Sequence, residues 1–329
     1  MKESYEIRLQ LFADNTLRVK KEFAWHNQLI HRLAALLYAV EDRTADVSAI
    51  RNSYELIKKS TGLFSTFRGN SAITIATLLS LSLEKEKQLE DTLTVYNMLK
   101  NAKFRASDYL AIAAYQIALN TEPDQYQIAI ARAQAFYESM KANHRFHTGQ
   151  DDYIYAAMLA LSDIEVESAA ARMEELYATL KPHFLSGNSV QALTQVLVLG
   201  DKASETATDL LILCDAFRKK GIRLDKQYTL SSLGVLSLLP CDSQSVVEEV
   251  AKTCEWLRTK KGFGSWSITK QELLLLSAAL VAYNYAEEVN SGILTTTLST
   301  SMTNIIIAQQ AAIAVAAASA TAASSSSSS

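Results

Sequence analysis

The densest group of side chains that could carry chemistry lies between residues 144 and 152. It contains two histidines and two aspartates: His144, His147, Asp151 and Asp152. Imidazole and carboxylate groups suit Zn²⁺, Mn²⁺ or Fe²⁺, so these four residues are candidates for a metal site. Their spacing matches no established zinc motif, and the same residues could simply end one helix and cap the next. We therefore expect no metal or other cofactor.

A second polar set lies at two other joints and could contact a ligand or a partner. It consists of Ser65, Arg68, Asn70, Asn188 and Gln191. Hydroxyl, guanidinium and amide groups before a helix N-terminus can hold an anion. The stretch 62–70 lacks the GxxxxGK[ST] order, so nucleotide binding is not predicted. The competing interpretation is a packed turn with Phe64 and Phe67 in the core.

Catalytic patterns are absent from the sequence, which leaves its status as an enzyme open. It contains no GxSxG, no HExxH and no paired-carboxylate site with supporting context. The three cysteines, Cys214, Cys241 and Cys254, are an odd number without CxxC spacing. A disulfide framework is therefore not expected, and a reducing cytoplasm fits this usage.

The polar stretches belong to an internal repeat. An apolar residue followed by a basic one returns at steps of about 40 residues, the range of helical-hairpin repeats. The pairs are Leu17-Arg18, Ile57-Lys58, Leu99-Lys100, Met140-Lys141, Leu180-Lys181, Phe217-Arg218 and Leu257-Arg258. In the helices that end at Met140, Leu180 and Phe217, apolar residues at i, i+3, i+4 and i+7 predict one buried stripe of an amphipathic helix.

Each pair is followed by a joint and then by a second helix. A large apolar residue recurs in each joint, namely Phe23, Phe64, Phe104, Phe146, Phe184, Leu224 and Phe263. The next segment, as at 71–83, 108–119 and 152–161, is apolar on nearly all sides and belongs in an interior. No unit could bury this helix alone, so neighbouring units must stack. The sequence predicts an all-α fold of about seven tandem antiparallel helix hairpins.

Stacked hairpins can form an open α-solenoid or close into an α/α toroid, and both remain open. Capping is predicted at the starts of the second helices, by the reciprocal pair Thr269 and Glu272 and by single caps at Ser107 and Thr229. Gly234 is the glycine that falls inside a predicted helix.

Composition indicates one helical domain. The chain has 329 residues with only 3 prolines and 10 glycines, and no Pro/Gly/Ser-rich linker interrupts the repeat. We predict a repeat domain at 1–294, followed by an Ala/Ser-rich helix and tail at 295–329. Residues 305–323 are long enough to span a bilayer, but alanine gains little from lipid, so neither a spanning helix nor a membrane partner is expected.

Charge and the N-terminus narrow the possible partners. The net charge is -3, and no single stretch gathers Lys and Arg without acidic neighbours, so nucleic acid binding is not predicted. The sequence MKESYEIRLQLF is too polar for a signal peptide, which favours the cytoplasm.

Several stretches resemble an uncharacterised family of Gram-positive bacterial proteins, a domain of unknown function. They are 62–69, 144–152, 184–191 and the Ala/Ser-rich end. The resemblance implies a cytoplasmic bacterial protein and adds no activity. A weaker similarity links the Lys-Gly-Phe-Gly joint at 261–264 to the repeats of α/α toroids such as prenyltransferase-like folds.

Two functions follow as hypotheses. The first is a non-catalytic binding or scaffold protein for a protein or peptide partner, because hairpin repeats present long grooves. The second is an α/α-toroid enzyme, which would require the joints 65–70, 147–152 and 186–191 to converge around one cavity.

Overall fold

The computed structural model describes residues 3–24, 28–200, 206–226, 229–239 and 241–290, with side chains up to residue 285. This part of the chain contains fourteen α-helices and no β-strand, which confirms the all-α prediction. None of these helices is both long enough and apolar enough to cross a bilayer. The predicted Ala/Ser-rich segment 295–329 lies outside the described residues.

The helices alternate between partly exposed and buried elements. They are α1 (Glu3–Glu22), α2 (Gln28–Val40), α3 (Val47–Ser60), α4 (Ala72–Leu81), α5 (Lys85–Asn101), α6 (Asp108–Asn120), α7 (Tyr126–Asn143), α8 (Asp152–Ala160), α9 (Val166–Leu180), α10 (Gly187–Leu199), α11 (Thr206–Lys219), α12 (Leu230–Ser237), α13 (Ser243–Arg258) and α14 (Lys270–Asn290). Short 3₁₀ helices lie at Thr66–Arg68, Pro123–Gln125 and Lys181–His183. Every residue of α8 is buried, whereas α7 buries one stripe only, as the apolar patterns predict.

The residue contacts divide the chain into two compact units. Unit 1 comprises Met1–Ala13 and Glu167–Gln309, and unit 2 comprises Asp14–Val166 and Gln310–Ser329. In unit 2, α3 packs against α4, α5 against α6 and α7 against α8, while the buried helices α6 and α8 also pack together. In unit 1, α12 packs between α10 and α14. The single repeat domain at 1–294 stays a prediction.

In unit 1, residues from near the two ends of the described chain are in contact. The hydroxyls of Tyr5 and Thr253 are hydrogen-bonded at 2.9 Å, and Lys260 Nζ donates to Gln10 Oε1 at 2.8 Å. The Phe12 and Phe263 rings lie 5.5 Å apart. The first part of α1 is thereby packed against the hairpin of α13 and α14.

The predicted caps have mixed outcomes. Thr269 and Glu272 form the reciprocal cap, since Glu272 Oε2 accepts from the Thr269 amide at 2.9 Å and Thr269 Oγ1 accepts from the Glu272 amide at 3.1 Å. Ser107 Oγ accepts from the Leu110 amide at 3.1 Å, as predicted. The prediction for Thr229 is wrong, because its hydroxyl donates to the Leu224 carbonyl oxygen instead.

Two of the seven large apolar residues in the joints are exposed. Phe64 and Phe146 are 98% and 97% exposed, whereas the other five are buried. The interpretation with Phe64 and Phe67 in the core is confirmed for Phe67 and wrong for Phe64. Phe67 is buried and meets the Tyr96 ring edge-on at 5.0 Å, and the Tyr153 ring lies 4.9 Å from that of Tyr137.

Candidate functional site

Three joints of unit 2 lie side by side. Together with the last residues of α3, α5 and α7 they comprise residues 58–70, 100–107 and 141–151, here named the basic side. The Asp108 carboxylate accepts from the Ser71 amide at 2.7 Å and from its hydroxyl at 2.8 Å, which ties the first joint to the second. The Arg105 amide donates to the Tyr153 hydroxyl at 3.3 Å, which ties the second to the third.

The basic side combines cationic and apolar groups. Its three segments contain eight Lys and Arg residues and one acidic residue, Asp151. Six of the basic residues are exposed, namely Lys59, Lys100, Lys103, Arg105, Lys141 and Arg145. The apolar side chains of Leu63, Phe64 and Phe146 are 73%, 98% and 97% exposed. Folding therefore gathers positive charge that the sequence distributes over three separate stretches.

The opposite ends of the same helices carry the opposite charge. The joints that follow α2, α4, α6 and α8, residues 41–46, 82–87, 120–125 and 161–166, are here named the acidic side. They contain nine Asp and Glu residues, all exposed, and three basic residues. The two sides of unit 2 are separated by the length of the buried helices, about 14–20 Å.

A cleft of about 330 Å³ opens on the acidic side, between the joints that follow α6 and α8. Gln125 and Ile128 line one wall, and Ser162, Asp163 and Glu165 line the other. Ile128 is 56% exposed. The cleft thus offers carboxylates, hydrogen-bonding groups and the exposed apolar side chain of Ile128.

Arg132 fixes the wall of this cleft. Its guanidinium donates to the carbonyl oxygens of Ala160 at 3.1 Å, Ser162 at 2.8 Å and Ile164 at 2.9 Å. These carbonyls belong to the end of α8 and the turn after it, where a helix leaves acceptors without intrahelical partners. One side chain therefore holds three of them and fixes the position of this wall.

The predicted metal candidates serve the turn between α7 and α8. The His144 carbonyl oxygen accepts from the Thr148 amide at 2.9 Å, and Asp152 Oδ2 accepts from the Gly149 amide at 2.8 Å. The His144 and His147 rings lie 6.2 Å apart. Across the described residues, no group of three or more His, Cys, Asp or Glu side chains is arranged to hold a metal ion. The geometry gives the metal hypothesis no support.

The predicted anion or partner residues in the first joint are engaged in the fold. Ser65 Oγ accepts from the Phe67 amide at 3.3 Å and begins the short 3₁₀ helix. The Arg68 guanidinium donates to the carbonyl oxygens of Lys58 and Thr61, so it caps the end of α3. Asn70 is half-buried beside them.

The remaining two candidates lie in α10 of unit 1. Asn188 is not the residue that caps this helix, because Ser186 Oγ accepts from the Ser189 amide at 3.2 Å. Gln191 is 3% exposed, which places its amide in the interior rather than on a binding surface.

Unit 1 contains a smaller cleft of about 260 Å³ lined by apolar groups, three basic residues and Cys254. Burial raises the pKa of the Cys254 thiol and raises that of Cys214 to about 11. Both thiols are protonated near neutral pH and are weak nucleophiles in that form.

The two charged sides of unit 2 were missed at the level of sequence. A usable signal existed, since Lys and Arg concentrate in alternate joints of the repeat. It becomes informative only when the joints are known to be adjacent.

Comparisons with known proteins give one match. The sequence model of a family described as "Protein of unknown function (DUF4003)" matches residues 16–311. The search of curated proteins found no match, and neither did the search of solved structures.

Proposed function

We propose a function from the premise that this chain belongs to the DUF4003 family of proteins of unknown function. It acts as a non-catalytic binding and scaffold protein, and it takes a protein or peptide partner in the cleft on the acidic side of unit 2. The observation that carries this proposal is the wall of that cleft, which Arg132 holds through three carbonyl oxygens. A preformed site binds without the entropic cost of ordering a loop.

The lining of the cleft defines the chemistry of the partner. Asp163 and Glu165 present carboxylates, and Glu122 and Asp124 add negative charge in the adjoining turn. Ile128 adds an exposed apolar surface in the same cleft. A segment with a Lys or Arg side chain next to an apolar one satisfies both features.

The wider architecture is part of the same proposal. The hairpins repeat with a period near 40 residues and stack as an α-solenoid, and the closed α/α toroid is the alternative arrangement. Direct packing of buried helices within each unit supports stacking, as between α6 and α8 or between α10 and α12. Free cysteines at 214, 241 and 254 support a cytoplasmic location.

Site-specific photo-crosslinking tests the cleft. A photoreactive phenylalanine replaces Ile128 in the full chain, expressed in cells where the protein is native. The matched control is position 212 of α11, because Ile212 is 55% exposed against 56% for Ile128.

A discrete crosslinked partner at position 128 that is absent at position 212 is expected. The Glu165→Lys change in the same chain should weaken that crosslink severalfold. Equal crosslinking at both positions, or a crosslink at 128 that ignores Glu165→Lys, contradicts the proposal.

A further inference from the structure

The basic side of unit 2 presents apolar side chains to water without cover. Phe64 and Phe146 are 98% and 97% exposed, and Leu63 is 73% exposed. All three occupy turns before buried helices, at joints that contact a common neighbour through Asp108 and Arg105. Large apolar side chains on adjacent loops are typical of a surface that binds something.

Basic residues lie near these side chains in the sequence and on the joint between them. Lys59 lies near Leu63 and Phe64 in the sequence, and Arg145 directly precedes Phe146. Lys103 and Arg105 are exposed on the joint between them. From these observations we infer that the basic side of unit 2 docks on the surface of an anionic lipid bilayer, an activity separate from partner binding in the acidic cleft.

The backbone at Lys103 gives an independent argument. Lys103 has φ 69°, and Gly221 has φ 74°. Both end a helix in the same way, since the Phe104 amide donates to the Leu99 carbonyl oxygen and the Ile222 amide donates to the Phe217 carbonyl oxygen. The left-handed conformation favours glycine and costs a lysine about 1 kcal/mol or more. A lysine at this position adds charge to the basic side at the expense of stability.

A bilayer fits these features better than a protein or a nucleic acid does. A protein partner would have to supply a pocket for each of Phe64 and Phe146, because the side chains that dominate protein interfaces are enclosed in complementary pockets. A bilayer needs no such pocket, because its acyl boundary takes up apolar groups while its anionic headgroups attract Lys and Arg. A nucleic acid duplex would match the charge but leave the apolar side chains unused, because most contacts to a duplex are made to its phosphates and sugars.

This inference differs from the expectation that no membrane partner exists. That expectation concerned helices that could cross a bilayer. It did not consider the side chains of Phe64 and Phe146, which are almost fully exposed in the structure.

Vesicle co-sedimentation of the full chain tests the inference. The vesicles are pure phosphatidylcholine, or phosphatidylcholine mixed with an equal amount of phosphatidylglycerol. We expect binding to the mixed vesicles, little binding to the neutral ones, and a severalfold loss of binding in 0.5 M NaCl.

Two pairs of variants separate the basic side from the rest of unit 2. Phe64→Ser should reduce partitioning about tenfold, while Leu83→Ser changes a side chain that is 102% exposed on the acidic side and should have no effect. Lys103→Gln with Arg105→Gln should reduce partitioning about 25-fold. Lys85→Gln with Lys87→Gln removes the same charge from the acidic side and should change it less than twofold.

Circular dichroism confirms that each variant is folded. Absence of binding to anionic vesicles overturns the inference, as does equal loss from both members of a pair. Binding to polyglutamate or single-stranded DNA, with the same dependence on Phe64 but without vesicle binding, assigns the surface to another partner and also overturns it. None of these results bears on crosslinking at position 128, so the two proposals fail separately.

Discussion

At each end of the buried helices of unit 2, the half-buried charge that organises the backbone is opposite in sign to most of the exposed charges. Next to the basic side, where α6 begins, the charge that organises the backbone is the Asp108 carboxylate, which accepts hydrogen bonds from Ser71. On the acidic side, where α8 ends, it is the Arg132 guanidinium bound to three carbonyl oxygens. Helix starts need acceptors and helix ends need donors, so folding dictates both choices.

The exposed charges follow a different rule. Some basic residues, such as Lys100 and Lys141, lie in the last turns of α5 and α7 and oppose the helix dipoles there. Lys103, Arg105 and Arg145 lie beyond the helix ends, where the dipole effect fades. Half-buried charges such as Asp108 and Arg132 thus satisfy helix ends, whereas the exposed charges beyond those ends have no such role in the fold and are the ones we propose for binding.

The largest effect is expected at Arg132. Replacing it with Ala removes three hydrogen bonds from a charged donor, so the free energy of unfolding should fall by about 2–3 kcal/mol. Arg145→Ala, an exposed arginine on the basic side, should change it by less than about 0.5 kcal/mol. Urea denaturation measures both values. Equal losses of stability would contradict the account in which Arg132 stabilises the backbone and Arg145 does not.

Asp108→Ala should have the next largest effect. It leaves the Ser71 amide and hydroxyl without their carboxylate acceptor, and the expected cost is about 1–2 kcal/mol. Asp124→Ala removes an exposed carboxylate from the acidic side and serves as control, with a change below about 0.5 kcal/mol. Should the control match Asp108→Ala, carboxylate number rather than the contact with Ser71 would set stability.

Gly69 lies close to the Asp108 carboxylate, so a substitution at Gly69 gives a second test of how Asp108 is placed. A Cβ atom at Gly69 would lie 2.7 Å from Asp108 Oδ1 and 3.1 Å from the Thr66 carbonyl oxygen, whereas nothing lies within 4 Å of one at Gly62. Gly69→Ala should cost about 1 kcal/mol, and Gly62→Ala should be near neutral. The cost should shrink in an Asp108→Ala background, because the closest clash is gone. If the free-energy costs of Gly69→Ala and Asp108→Ala simply add in this double-mutant cycle, the close approach of Gly69 to Asp108 is contradicted.

The smallest changes in stability are expected at Lys103 and Asp42. They are the non-glycine residues with positive φ in the described part of the chain, at 69° and 50°, and they lie on opposite sides of unit 2. Lys103→Gly should raise the free energy of unfolding by about 1 kcal/mol, and Asp42→Gly by less, since Asp tolerates this conformation better. Thermal unfolding measures both changes.

The vesicle assay applied to the same pair adds a second readout. Lys103→Gly should weaken binding to anionic vesicles although it stabilises the fold, and Asp42→Gly should not weaken it. A destabilised Lys103→Gly variant would remove the backbone argument.

Much of the fold could be predicted from sequence. The segments that are apolar on all sides predicted the buried helices to within a few residues, as 108–119 against Asp108–Asn120 for α6. This was possible because hydropathy and its periodicity can be read from the local sequence. The alternation of amphipathic and buried segments was predicted in the same way. The caps at Ser107 and Thr269 followed from local hydrogen-bonding chemistry.

The candidate site could not be predicted in the same way. Phe64 and Phe67 are both apolar and three residues apart, and which of them packs against Tyr96 depends on the path of the turn. Arg68 and Gln191 were both predicted to be free to bind a ligand. Instead, Arg68 donates to carbonyl oxygens at the end of α3, and Gln191 is buried within α10. The basic and acidic sides depend on which joints become neighbours, a tertiary property.

One measurement tests most directly whether the two sides of unit 2 differ as described. An environment-sensitive fluorescent amino acid is placed at position 64 or at position 83, two sites that are fully exposed at opposite ends of α4. On addition of anionic vesicles, emission from position 64 should shift to the blue, while emission from position 83 stays that of a probe in water. A blue shift at both positions, or at position 83 alone, would contradict the account.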